Sequence, residues 1–292
     1  MQRPSRGSPP ATKPVPGRNP YREARRAIYA LCPMRVRNWR EERYCAKYGE
    51  VELHLVEFLC RADEDAIDVG ANVGTYVHSL RRYARRVIAY EPIPAMTEEL
   101  RRKFGRNVDV HVVALSDGAG VVELRIPLIE DQEVLGCSTI APEAAADYPV
   151  CRTIEVQTDR LDDVYRGQVG FIKIDVEGHE LAVLRGARET IRRCQPRLLV
   201  EVEERLSPGG VLRTTSFFAE LGYRGYYVHG RQLEPIERFS AATLQQPANQ
   251  PDLTAPLSES HRSASYVNNF IFLPPDEPAE TRDLMAARLA RL

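Results

Sequence analysis

Residues 66–76 read Ala-Ile-Asp-Val-Gly-Ala-Asn-Val-Gly-Thr-Tyr. A short apolar run carrying Asp68 passes into a turn of small residues. Val77, Leu80 and Ala84 then continue the apolar pattern at helical spacing. The stretch predicts strand, tight turn and helix. Such a turn lets a ligand approach the backbone and aims the amide end of the helix at it. Asn72 stands where another glycine would sit. Asparagine tolerates left-handed backbone better than most residues, so the turn survives the exchange.

The glycine spacing narrows the ligand. A dinucleotide fingerprint needs Gly-x-Gly-x-x-Gly, its third glycine packing helix on strand. Here the order is Gly70-x-Asn72-x-Gly74, with no third glycine at the required spacing. Gly-x-(Gly/Asn)-x-Gly after an acid is the S-adenosylmethionine pattern. A second apolar run, 86–90, ends at Glu91, 23 positions after Asp68. A nucleoside-binding fold places there the carboxylate that takes the ribose hydroxyls. The plain alternative is a surface glutamate at a strand end.

The rest of the chain alternates in the same way. A helix with Ile93, Met96, Leu100 and Phe104 facing inward stops at Gly105. Strand-like runs follow at 108–115, 171–175 and 197–202, with helices through about 193 and 221. Two closing strands span 223–228 and 269–273, and an amphipathic helix spans 281–292. Runs 121–126 and 153–157 read as an inserted hairpin at the sheet edge. Repeated βα units ending in a strand pair predict an α/β, doubly wound sheet with an antiparallel edge. The expected organisation is a basic, Pro-rich disordered tail at 1–20 and an N-terminal helical cap at 21–61, with helices at 21–31 and 51–61. The ligand-binding domain spans 62–275, with a polar mobile loop at 241–265, and a C-terminal helix covers 276–292.

The segment 171–187, Phe-Ile-Lys-Ile-Asp-Val-Glu-Gly-His-Glu-Leu-Ala-Val-Leu-Arg-Gly-Ala, resembles the signature of the FkbM family of S-adenosylmethionine-dependent methyltransferases. Segments 68–74, 90–92, 114–117, 158–162 and 269–273 match the same pattern. The resemblance covers roughly residues 50–275. It implies a Rossmann-like class I methyltransferase sheet and O-methylation, commonly of sugar hydroxyls on glycans or glycolipids, or of natural products. Residues 1–48 and 241–265 lie outside it.

Methyl transfer from a sulfonium is an in-line displacement, so the protein must place the nucleophile and exclude water. A sugar hydroxyl also needs help in losing its proton. Ligands of an open α/β sheet sit beyond the carboxyl ends of its strands. That rule gathers Gly70, Glu91, Ser116, Asp175 and Glu201 on one rim. Gly70, Asn72, Gly74 and Thr75 form the donor-binding turn and helix start, with Asp68 orienting the turn. Ser116 and Asp117 follow the third strand, where the adenine edge lies; Asp117 also reads as a turn residue before Gly118. Asp175, Glu177 and His179 open the fourth helix and are the catalytic candidates, His179 as a base that titrates near neutrality. Glu180 reads as a helix-start charge. His229 and His261 are lone histidines, the latter in the 241–265 loop. Asp175, Glu177 and Glu201 are oxygen ligands of the kind Mg²⁺ takes, but their spacing is not diagnostic and a metal is not favoured.

Charge and cysteines bound the remaining classes. Residues 1–48 carry 12 Lys and Arg against 3 Asp and Glu, and the remainder carries 28 against 38. The basic arm reads as a solvated tail or as a peripheral contact for anionic lipid, nucleic acid or acidic substrate. The acidic core, with no basic patch interleaved with aromatics, argues against a nucleic-acid methyltransferase. A donor-binding module without chemistry is the other alternative. No apolar run approaches a membrane span and no signal peptide opens the chain. Six scattered cysteines, none in a Cys-x-x-Cys pair, fit a reducing cytoplasm.

Overall fold

The runs at 65–69, 87–90 and 169–174 are buried from end to end in the computed structural model, as strands covered on both faces must be. The structure describes residues 33–129, 132–145, 148, 150–250 and 266–292. The expected tail at 1–20, the helix at 21–31 and His261 lie outside the described residues. The chain divides into two units, Met1–Glu41 and Glu42–Leu292. A helix, Met34–Tyr48, opens the described chain.

Twelve strands follow: β1 (Asp65–Val69), β2 (Val87–Tyr90), β3 (Val108–His111), β4 (Ala114–Leu115), β5 (Gly120–Ile129), β6 (Gln132–Glu133), β7 (Cys151–Asp159), β8 (Val169–Ile174), β9 (Arg197–Glu201), β10 (Arg224–His229), β11 (Gln232–Pro235) and β12 (Asn269–Leu273). Eight of them form one sheet in the order β11-β10-β12-β9-β8-β1-β2-β3. β1 pairs in parallel with both β2 and β8, so the winding reverses between them. That reversal opens a crevice at the carboxyl ends of β1 and β8. β12 runs antiparallel to β9 and β10, which is the expected antiparallel edge. The fold is a mixed α/β, doubly wound sheet.

Alternation along the strands feeds two apolar layers. Ile67, Ile172, Leu198, Phe270 and Phe272 face one layer. Ala66, Phe171, Leu199 and Ile271 face the other, with Val77, Leu80, Leu100 and Phe104 from the helices. Lys173 continues the second set along β8, yet it is fully buried and carries a charge.

Four expectations are corrected. The third run is not one strand. β3 pairs with β2, whereas Ala114 and Leu115 of β4 pair with Thr158 and Asp159 of β7 in a second sheet. That sheet has the order β4-β7-β5-β6, and β5 and β7 form the inserted antiparallel pair. Residues 51–61 form a 3₁₀ turn, Val51–His54, and a single helical turn, Val56–Leu59, rather than one helix. Cys60 is already extended and ends the turn. The helix after β8 breaks at Ala187 into Glu180–Gly186 and Arg188–Cys194. The buried Asp162 carboxylate accepts the amides of Glu189 and Thr190 at 3.1 and 2.7 Å, giving the second helix its own start. Within 241–250, finally, Ala241–Leu244 is helical and Pro247–Asn249 is a 3₁₀ turn. Gln245 fixes this end, its side-chain amide donating to the carbonyls of Val202 and Val267 at 2.8 Å each.

Candidate active site

The turn after β1 is built from left-handed residues. Gly70, Asn72 and Gly74 have φ of 80°, 47° and 87°. A Cβ on Gly70 would lie 1.8 Å from the Asp175 carbonyl, so only glycine lets the end of β8 close against the turn. Gly74 precedes the Thr75–Tyr83 helix, and a Cβ there would run into Phe104 and Leu100. The helix start is thereby packed closely against the Pro94–Phe104 helix.

Glu91, 4% exposed, bridges this turn to the next strand. Its Oε2 accepts the Asn72 amide and its Oε1 the Ile93 amide, both at 2.9 Å. Burial pushes its pKa up, and the two amides partly oppose that. Asp68 lies under the turn, 2% exposed. One of its carboxylate oxygens is buried without a hydrogen-bond partner. Burial raises the Asp68 pKa to about 7, with Lys173 opposing and Asp175, Glu91 and Glu50 adding to the rise.

The loop after β8 faces the turn. Lys173 Nζ lies 3.6 Å from Asp175 Oδ2, 3.7 Å from Glu201 Oε2 and 3.2 Å from Asn269 Oδ1. Glu50 completes the ring, accepting the Tyr76 hydroxyl at 2.6 Å and the Asn269 amide at 3.2 Å. Burial lifts the pKa of Asp175 and of Glu201, and each carboxylate suffers from its acidic neighbours. Asp175, Glu201, Glu50 and Asp68 in turn raise Lys173 against its burial, so it stays an ammonium. Glu177 takes a left-handed φ of 50°, and burial and Asp175 push its carboxyl well up. His179 Nε2 lies 2.9 Å from Ser116 Oγ. Burial lowers the imidazole pKa, with Asp117 opposing, so the ring is neutral at pH 7.

One cleft of about 560 Å³, mouth included, joins these parts. Gly70, Asn72, Glu91, Asp175, Glu177 and His179 line it together; of the rim expected from sequence, Ser116 and Glu201 are not part of its lining. Val113, Ala114, Leu115 and Ile93 form an apolar wall, and Leu124, Leu135 and Ile140 of the inserted sheet close it. Asp68, Gly74, Ser116 and Asp117 stand behind the lining: Ser116 touches the cleft through His179, and Asp117 is exposed. Thr75 lines a separate cavity with His54 and His78. Lys173, Glu50, Tyr76 and Asn269 were not singled out from sequence. The one signal for Lys173 was a cation inside an apolar strand.

The residue pattern and fold have a match among known proteins. Residues 68–224 fit the model of the methyltransferase FkbM domain. The chain belongs to the FkbM methyltransferase family. Two curated methyltransferases are similar to it. Methyltransferase sdnD of Sordaria araneosa is 27% identical over 177 residues, covering 50% of this chain and 67% of that protein. Methyltransferase 1 of Beauveria bassiana is 31% identical over 150 residues, covering 42% of this chain and 58% of that protein. Methyltransferase FkbM from Methylobacillus flagellatus, a crystal structure, superposes with a TM-score of 0.44 and 17% identity over 72% of this chain and 43% of that one. No helix among the described residues of this FkbM-family chain is long and apolar enough to cross a membrane.

Among the described residues no group of three His, Cys, Asp or Glu side chains is spaced to hold a metal ion. The Lys173 ammonium stands between Asp175 and Glu201, where a cation bridging them would go.

Proposed function

We propose that this chain transfers a methyl group from S-adenosylmethionine to a hydroxyl, in a sugar of a glycan, glycolipid or glycosylated natural product. The observation that carries the reading is the shared cleft. It sets the Gly70–Asn72–Glu91 side, suited to a nucleoside, against Asp175, Glu177 and His179, suited to a hydroxyl. The residues fit the donor. Glu91 is fixed by two amides at the ribose position, and the apolar wall at 113–115 suits adenine. Burial holds the pKa values of Asp68, Asp175, Glu177 and Glu201 up, and a positive sulfur beside them would favour their ionised forms. When bound, the donor supplies an electrophilic methyl on a positive sulfur.

The acceptor side needs a proton acceptor. With Nε2–H donating to Ser116, His179 presents Nδ1 as a neutral base, and burial keeps it unprotonated at neutral pH. Asp175 holds the hydroxyl by hydrogen bonding, and Lys173 fixes Asp175. Among the described residues five cysteines are free thiols, which supports a reducing cytoplasm as the setting. The acidic rim disfavours a nucleic-acid backbone as acceptor.

Incubation with methyl-labelled donor and a panel of glycosides, aglycones and oligonucleotides tests this. The reading expects label on a glycoside hydroxyl, located by NMR and little affected by salt. Label only on nucleic acid, with steep salt dependence, would overturn it.

A further inference from the structure

The loop that carries the acceptor-side residues contains two consecutive left-handed positions, Glu177 at φ 50° and Gly178 at φ 94°. For a glutamate this conformation is strained, so something must hold it. The hold comes from the other sheet. Thr139, 2% exposed, donates its hydroxyl proton to the Glu177 carbonyl at 2.6 Å. The direction is fixed, because a carbonyl oxygen only accepts, and the same hydroxyl oxygen also accepts the Ala141 amide at 2.9 Å. The Thr139 backbone is anchored independently, exchanging hydrogen bonds with Arg125 of β5 at 3.0 and 2.9 Å. Ala144 of the same insertion packs with Leu206 over Gly178, where a Cβ would come within 2.9 Å of Ala144 Cβ.

We propose that Thr139 is a positioning residue for methyl transfer, a strut from the inserted sheet that holds the Glu177 backbone and so aims Asp175 and His179. It touches neither reacting group. Its neighbours Leu135, Gly136, Ser138 and Ile140 form the cleft wall, so the segment that encloses the ligand also sets the loop that acts on it. A displacement of about 1 Å at such a loop costs on the order of a hundredfold in rate. The proposal rests on the reading of the cleft as a methyl-transfer site.

The test compares wild type, Thr139→Val and Thr139→Ser as full-length chains. Valine keeps the shape and removes both hydrogen bonds; serine restores them. In hydrogen exchange without ligands, amides 176–180 exchange at least tenfold faster in Thr139→Val, amides of β1 and β8 are unchanged, and serine restores protection. Equal exchange in wild type and valine variant would overturn the strut, whether or not the protein is a methyltransferase. In turnover, kcat falls about 10- to 100-fold in Thr139→Val, donor Kd stays within threefold, and serine recovers kcat to within threefold of wild type. A kcat within threefold of wild type in the valine variant, or a serine variant no better than valine, would overturn the positioning role. If wild type turns over no acceptor, the proposed function fails, and the exchange result alone decides the strut.

Discussion

At the residue scale the site is a set of acids kept from ionising freely by burial, around one buried ammonium. His179 answers to the same burial with the opposite sign. Its folded pKa lies below the ordinary 6.5, so activity should rise with pH through a limb below that value and level off at neutrality. His179→Ala should lose that limb and lower turnover about 10²- to 10⁴-fold while donor affinity holds. An unchanged pH–rate profile in the variant would remove His179 as base. Asp68 gives a stability test. Its pKa is raised from 3.8 to about 7, so between those values the unfolded chain releases a proton that the fold retains. Stability is therefore lost as pH rises through this window. Asp68→Asn lacks that loss, so its melting temperature should gain on wild type between about pH 4 and pH 7. A constant difference across the window would contradict the buried, protonated carboxyl.

At the element scale, legibility followed the range of the cause. The strand–turn–helix at 65–83 was readable because glycine spacing and local periodicity fix it without distant partners. Asn72 as a left-handed residue was readable for the same reason. The break at Ala187 was not, because it depends on Gly186 meeting the Ser116 carbonyl, where a Cβ would come within 1.9 Å, and on Asp162 capping from 27 residues away. β4 left the third strand because its partner is β7, more than 40 residues downstream. Lys173 resembles a strand's solvent side until Glu50, Asp175, Glu201 and Asn269 converge on it from four separate segments. Asp162→Ala should lower unfolding free energy by about 1–3 kcal/mol, since it strands two helix amides, that of Thr190 buried and that of Glu189 partly so. Urea unfolding measures this, and a loss under about 0.5 kcal/mol, the level of an ordinary surface change, would show that the amides find water.

At the scale of the whole molecule, the two sheets divide the work. The eight-stranded sheet supplies the turn, the Glu91 carboxylate and the Asp175–His179 loop at its winding reversal. The four-stranded sheet closes the cleft and braces the loop. Family membership places methyl transfer on this scaffold. The most direct measurement is calorimetric titration of S-adenosylmethionine into the full chain and into Glu91→Gln, each checked for folding by circular dichroism. The account predicts one site per chain in wild type, weakened in Glu91→Gln by about 1.5–3 kcal/mol, the range for a lost charged hydrogen bond. No binding by folded wild type, or equal affinity in the two proteins, would contradict it.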